Sequence, residues 1–385
     1  MLEKLKSTSG MVITSYAIVQ RDKDILHPIK WASVILDEAQ NIKNPATKQS
    51  VAVKKLGADY KVVLTGTPVE NHLGDLWSIM DFLNPGLLGS FNNFRKKYLI
   101  PIETRRDKNS TNVLKKLVKP FILRRLKSDK NVISDLPEKV EVKEYCNLTK
   151  EQAALYNSIV KNLESAIKEK DGVSRRGTIL ATITKLKQIC NHPAAFLKDN
   201  SRIQGRSGKL HRLKELIEVI LDIGERSLIF TQYRQMGIML KDYLRNTFGE
   251  EVLFFHGQLT PHKRQQMIDK FDSKNGPKIF ILSLRAGGTG LNLARANHVF
   301  HYDRWWNPAV ENQATDRAYR IGQTKNVQVH KFVTSGTIEE KVDSIIERKT
   351  ALAEEVVTTG EQWLTELSDK ELVDVLSLTS EDYFY

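Results

Sequence analysis

The chain of 385 residues is long enough for two or three domains, and 59 Lys and Arg against 46 Asp and Glu leave a net charge of +13. That balance favours a polyanionic partner such as nucleic acid. The two cysteines, Cys146 and Cys190, lack metal-type spacing, no run reaches the ~18 apolar residues of a membrane span, and Met1–Gly10 lacks a signal-type apolar core. A soluble, cytoplasmic protein with no membrane partner is therefore expected.

Taken in chain order, Val12–Tyr16, Ala32–Leu36 and Lys61–Leu64 read as buried parallel strands, because their apolar residues do not alternate with polar ones. Asp37 and Glu38 directly follow the second run, which puts two carboxylates at the carboxyl end of a strand, where open α/β sheets bind ligands. In phosphoryl-transfer enzymes one such acid holds Mg²⁺ and its neighbour orients or polarises water, and Asp37 and Glu38 are assigned these roles. A third strand ends in small hydroxyl residues, Thr65 and Thr67. Positive charge then gathers from Lys96 to Lys127 and could neutralise phosphates along a duplex.

The stretch 151–170 has the apolar period of an amphipathic helix, with Ala154, Leu155, Ile159, Leu163 and Ile167 on one side. A polar loop follows at 170–177, then a helix ending near Cys190 and His192, of which His192 reads as a satisfied core histidine. The polar stretch 199–208 reads as a linker or hinge. Gly205 to Lys209 is not a phosphate loop, since GxxxxGK[ST] would need glycine at Ile203 and a hydroxyl residue at Leu210. From Leu210 helices alternate with strands at Ser227–Thr231, Val252–Phe255 and from Lys278, the pattern of a βα-repeated parallel sheet. Gly336–Leu376 reads as helical, with a short bracing element from Glu361.

The most informative stretch is Ser283–Gln323. Gly287, Gly288 and Gly290 follow a strand, where the backbone must turn tightly or approach a ligand closely. They are not a dinucleotide fingerprint, because the third glycine position is Leu293. Asn307–Pro308 supplies an N-cap and an N1 proline, and Gly322 suits a helix end, so a helix is expected from Pro308 to Tyr319 or Arg320. Gln313, Arg317 and Arg320 would then share one face aimed at an anion, while Arg304, outside that helix, is expected to matter less.

As a set, ILDEAQNIKNP, LTGTPVEN, AGGTGLNL, DRWWNPA and QATDRAYRIGQ closely resemble the motifs of the Swi/Snf family of DNA-dependent ATPases, within helicase superfamily two. The resemblance runs from Met11 to about Leu376 and is nearest the prokaryotic branch. It implies an α/β fold of two RecA-like parallel-sheet lobes with helical insertions, the first lobe incomplete. It also implies ATP and Mg²⁺ as cofactors and double-stranded DNA as partner. Residues 1–148 would be the later part of the first lobe, 149–208 a helical insertion and linker, 209–360 the second lobe and 361–385 a helical brace. In the family the last arginines reach the γ-phosphate of ATP held by the other lobe, which implicates Arg317 and Arg320 with Gln313. Gly288 and Gly290 become nucleotide-binding candidates, Gln40, Thr65 and Thr67 coupling residues, and Thr231, Ser283 and Thr289 contacts to the DNA backbone, while Lys209, in a phrase like the SGKL that opens the second lobe's first helix in the family, becomes a structural residue.

No P-loop motif occurs in the 385 residues. The expectation is therefore part of an ATP-dependent translocase or remodeller on duplex DNA, associated with the nucleoid. Its P-loop would be carried by an upstream segment or a separate polypeptide. A catalytically silent DNA-binding or regulatory fragment is the alternative, and GxGKT in the upstream coding sequence would favour the enzyme.

Overall fold

The computed structural model describes all residues except 1–9, 66–72, 106, 124, 126–135, 168–171, 200, 285, 287–290, 353–363, 366 and 380–385. It divides into two compact units, residues 1–124 with 349–359 and residues 125–348 with 360–385. Single-turn helices are left unnumbered below.

The first unit contains α1 (Tyr16–Arg21), β1 (Trp31–Leu36), α2 (Lys48–Lys54), β2 (Ala58–Val63), α3 (Leu73–Leu83) and α4 (Lys108–Val118). β1 and β2 pair in parallel, Trp31 opposite Ala58 and Leu36 opposite Val63. Leu36, Ala39, Ile42, Ala52, Val53 and Phe82 make the core beneath one face of this pair. Ser50 and Ser78 both donate to the Ile42 carbonyl, at 3.2 and 2.6 Å, which ties α2 and α3 to the turn after β1.

Two expectations fail here. Val12–Ser15 forms no strand: Met11 and Ile13 are exposed, and Ser15 instead caps α1 by accepting from the Ile18 amide. β1 and β2 are parallel as expected but buried on one face only. Ile35, Tyr60, Val62 and Leu64 are 60, 74, 43 and 51 % exposed, because no described element of this unit lies against that face.

The second unit is built on a six-stranded parallel sheet in the order β3-β8-β7-β4-β6-β5. Its strands are β3 (Lys139–Cys146), β4 (Ser227–Thr231), β5 (Val252–Phe255), β6 (Ile279–Ser283), β7 (His298–His301) and β8 (Val327–Thr334). Its helices are α5 (Lys150–Ile167), α6 (Gly172–Asn191), α7 (Gly208–Asp222), α8 (Arg234–Phe248), α9 (Pro261–Asp272), α10 (Pro308–Thr315), α11 (Ile338–Leu352) and α12 (Asp369–Leu376). One face of the sheet packs on Leu213, Ile217, Leu240 and Leu244, the other on Phe271, Leu293, Ala314 and Ala318. A third cluster joins α5, α6 and α12 around Trp306. Arg175 fastens α12 by donating to Asp369 and to the Thr365 and Leu367 carbonyls.

Residue 148, expected as the end of the first lobe, is not where the two compact units divide. β3 pairs with β8 from Lys139–Val327 to Cys146–Thr334, so this strand and the α5–α6 hairpin belong to the second unit. Nor is 199–208 a free hinge, because Arg206 pairs with Glu151 and the Ser207 hydroxyl donates to Asn191 O at 2.7 Å. A Cβ on Gly208 would stand 2.0 Å from Asn147 O, so only glycine allows this close approach. His192 is a satisfied core histidine: its Nδ1 accepts from the Ala194 amide and its Nε2 faces Ile203 O.

β3 is fastened to β8 by Glu141, which takes hydrogen bonds from Lys139 and Lys331. Burial pushes this carboxyl up, but the two lysines more than offset it and hold it at about 2. A carboxylate depressed below its ordinary 4.5 stabilises the fold fully above that value and loses the contribution as pH falls towards 2. Glu141→Gln is therefore expected to flatten part of the fall in melting temperature between these limits. At pH 7, where a half-exposed pair contributes ~0–1 kcal/mol, it should cost no more than ~2–4 °C. Thermal melts of both proteins across the range check this, and identical pH profiles would exclude the clamp.

Candidate functional site

β1 delivers Asp37 and Glu38 at its carboxyl end, and the chain turns there through an unusual conformation. Glu38 adopts φ 51° and ψ 53°, the left-handed region that disfavours a side chain. The turn is held by Glu38 N donating to Asp37 Oδ1 at 2.9 Å, Asn41 Nδ2 to Glu38 O at 2.8 Å, and Tyr16 Oη to Asp37 O at 2.7 Å. Burial, then the charges of Asp37 and Glu38, push the Tyr16 hydroxyl up to about 12, so it remains a donor. Just after β2, Thr65 donates to Gln40 Oε1 at 3.2 Å, and Gln40 Nε2 donates to Glu38 Oε2 at 2.8 Å. Thr65, Gln40 and Glu38 thus form one line of hydrogen bonds. Thr67 lies outside the described residues. Sequence reasoning missed Tyr16, whose run had been read as a strand.

Among the described residues no three His, Cys, Asp or Glu side chains converge on a point that could hold a metal. Asp37, exposed at a strand end, suits a cation whose remaining ligands come from water and phosphate, as Mg²⁺ prefers.

In the second unit the strand ends Thr231, Ser283 and His301 lie side by side. Thr231 is buried, and its hydroxyl donates to Asp303 Oδ2 at 2.6 Å, so it is not available to a DNA phosphate. Asp303 also accepts from Gln232 N at 2.9 Å and Asn191 Nδ2 at 3.1 Å, and burial pushes its carboxyl up. Ser283 is half-buried at the end of β6. Gly288, Thr289 and Gly290 lie outside the described residues.

Asn307 caps α10 through the Ala309 amide at 2.9 Å, with Pro308 at the first helical position, as the sequence indicated. The helix stops earlier than expected, at Thr315 rather than Tyr319 or Arg320. The carbonyl of Arg317 accepts from Leu293 N at 2.9 Å, outside the helix, and Arg317, Ala318 and Tyr319 follow as short turns. Gln313, Arg317 and Arg320 therefore do not form one helical face. Gln313 is half-buried on α10, Arg317 is 6 % exposed, and Arg320 is exposed with Nη1 donating to Leu291 O at 3.3 Å.

Arg304, expected from the sequence to matter less than the helix arginines, is a buried residue. It is 3 % exposed, with Nη1 2.6 Å from Glu311 on α10 and Nη2 2.6 Å from Asp343 on α11. Lys209 matches its structural reading: its ammonium is buried against Glu339 at 2.7 Å, Asn191 Oδ1 and Tyr302 O.

Residues 2–195 match the SNF2-related domain and residues 208–322 the helicase conserved C-terminal domain. The Sulfolobus solfataricus SWI2/SNF2 ATPase core in complex with dsDNA is 47 % identical, with a TM-score of 0.58 over 95 % of this chain and 76 % of that one. The chain belongs to the SWI/SNF family. Its fold is accordingly α/β, of the parallel-sheet RecA-like kind seen in that ATPase core. The C-terminal domain of the same Sulfolobus ATPase matches over 63 % of this chain and all of its own length, at 42 % identity and a TM-score of 0.55. YwqA of Bacillus subtilis, named for helicase/translocase activity, is 50 % identical over 374 residues, 97 % of this chain but 40 % of YwqA. The chain thus spans about two fifths of that relative. No helix among the described residues is long and apolar enough to cross a membrane.

Removing one partner of a buried ion pair leaves an uncompensated charge, which costs on the order of 3–5 kcal/mol. Arg304→Ala would strand Glu311 and leave Asp343 with Lys143 alone, 2.6 Å away. A stability loss of that order is expected in chemical denaturation, and a midpoint equal to the parent's would refute it.

Proposed function

We propose that this chain is the later portion of an ATP-driven motor that moves along double-stranded DNA, acting at the nucleoid. The observation that carries the reading is the line Thr65–Gln40–Glu38 beside Asp37 at the end of a parallel strand. It joins the carboxylate suited to positioning water to the segment after β2, as coupling of hydrolysis to movement requires. Asp37 would hold Mg²⁺, which screens phosphate charge when bound, and Glu38 would orient the attacking water. Gln40, Thr65 and Thr67 would transmit the state of the nucleotide. Gly288 and Gly290 would allow close backbone approach to it. Arg317 and Arg320, with Gln313, are assigned to the charge developing on the γ-phosphate. Ser283 and Thr289 would contact the DNA backbone, while Thr231 would act only through Asp303.

The open face of β1 and β2 supports a further part of this reading. Parallel sheets are ordinarily covered on both faces, and two strands alone are marginal. Ile35, Tyr60, Val62 and Leu64 would be covered by the segment carrying the P-loop, from a longer polypeptide or a separate one.

The test is ATP hydrolysis with and without duplex DNA. The 385 residues alone should be nearly silent, and joined to a P-loop segment they should show DNA-stimulated turnover. DNA-stimulated turnover by the 385 residues alone would refute the need for that segment, and continued silence after joining would favour the regulatory fragment. In the active protein Arg320→Ala should lose roughly 10³-fold or more in kcat, with folding intact because the side chain is exposed. Arg317→Ala should lose similarly and also some stability, since Arg317 is buried. Turnover within a few-fold of the parent would return both to structural roles.

Duplex binding by the chain alone should be weak, nearly sequence-independent and steeply weakened by salt, as phosphate neutralisation by a +13 chain requires. Fluorescence anisotropy across a salt series measures this, and a flat dependence would contradict it.

A further inference from the structure

The segment assigned to the γ-phosphate is held at two places. At its far end Leu293 N donates to Arg317 O, and Gln323 Nε2 donates to Ala296 O at 2.8 Å and Ala318 O at 3.2 Å. At its near end α10 is held by Glu311, which makes one buried ion pair and one hydrogen bond. Glu311 Oε2 meets Arg304 Nη1 at 2.6 Å, and its Oε1 accepts from Trp305 N at 2.8 Å. Both oxygens of one carboxylate are thereby bound by consecutive residues of the chain just after β7. The other fork of Arg304 meets Asp343 Oδ1 on α11, and Lys143 of β3 meets Asp343 Oδ2. The Arg304 carbonyl accepts from Lys187 Nζ of α6 and from Gln232 Nε2, each at 2.7 Å. One residue therefore fixes α10 against β3, α6, α11 and the end of β4.

Such a buried arrangement is a weak means of gaining stability, because apolar side chains of similar volume often serve as well. What a planar guanidinium adds is direction: two carboxylates on different helices are set by the fixed angle between its nitrogens. We propose that Arg304, through Glu311, is a positioning residue that sets where α10 presents Gln313 and the turn bearing Arg317 and Arg320. Its role in turnover rests on the function proposed above, whereas the placement of the segment does not.

The placement is tested in the 385-residue chain by amide hydrogen exchange, using Arg304→Lys and Glu311→Gln, which preserve much of the packing if Arg304→Ala fails to fold. A lysine offers one nitrogen and cannot meet Glu311 and Asp343 in the same geometry. Exchange across 308–320 should accelerate about tenfold or more, with β4 and β6 amides changed by no more than about two-fold, the pattern of local rather than global opening. Equal acceleration throughout the sheet, or none at 308–320, would overturn the proposal. In a DNA-stimulated active form, Arg304→Lys should lower kcat about tenfold while KM for ATP and duplex affinity stay at parental values. Added to Arg320→Ala it should lower kcat by less than about two-fold more, since residues acting as a unit are not additive. Parental kcat in Arg304→Lys, or full additivity, would also overturn it. A parent without turnover would instead refute the function proposed above and leave the exchange result standing.

Discussion

Charge kept out of water at the end of β7 is what the second unit depends on. Asp303 and Arg304 are consecutive, both nearly inaccessible, and they reach in opposite directions: Asp303 back to Thr231, Gln232 and Asn191, Arg304 forward to Glu311 and Asp343. Neither charge is tolerable alone, and each is satisfied only when several elements are in place. Lys209 does the same one layer away, joining α7 to α6, β7 and α11 through Asn191, Tyr302 O and Glu339. The sheet supplies bulk apolar burial on both faces, while these few ions join the helices to one another and to the strand ends.

The first unit obeys a different constraint. Its core lies under one face of a two-stranded sheet, and its chemistry sits at the strand ends, where Glu38 is held left-handed by Asp37, Asn41 and Gln40 around it. A residue with a side chain is costly in that conformation, and glycine would be easier.

Much of this was legible in the sequence. The βα alternation after Leu210, the Asn307–Pro308 cap and the strand-end carboxylates follow from local chemistry that tertiary contacts did not override. The misses have physical reasons. Val12–Tyr16 has strand composition, but Ser15 finds a helix amide to cap. β3 alternates charged and apolar residues as an edge strand does, so nothing local announces a partner nearly two hundred positions away at β8. Nothing local marks the early end of α10, after which the chain turns at Thr315 and presents the Arg317 carbonyl to Leu293 N. Arg304 looked peripheral because sequence spacing carries no information about Asp343 on a later helix.

The open face of β1 and β2 also governs how the molecule behaves in solution. Ile35, Tyr60, Val62 and Leu64 form an adhesive apolar surface on a chain whose +13 charge keeps copies apart. Added salt shortens the range of that repulsion, to about 3 Å at 1 M, while excluded salts such as sulfate strengthen apolar contact. Salt that weakens the repulsion between like-charged copies therefore also favours their contact through that face.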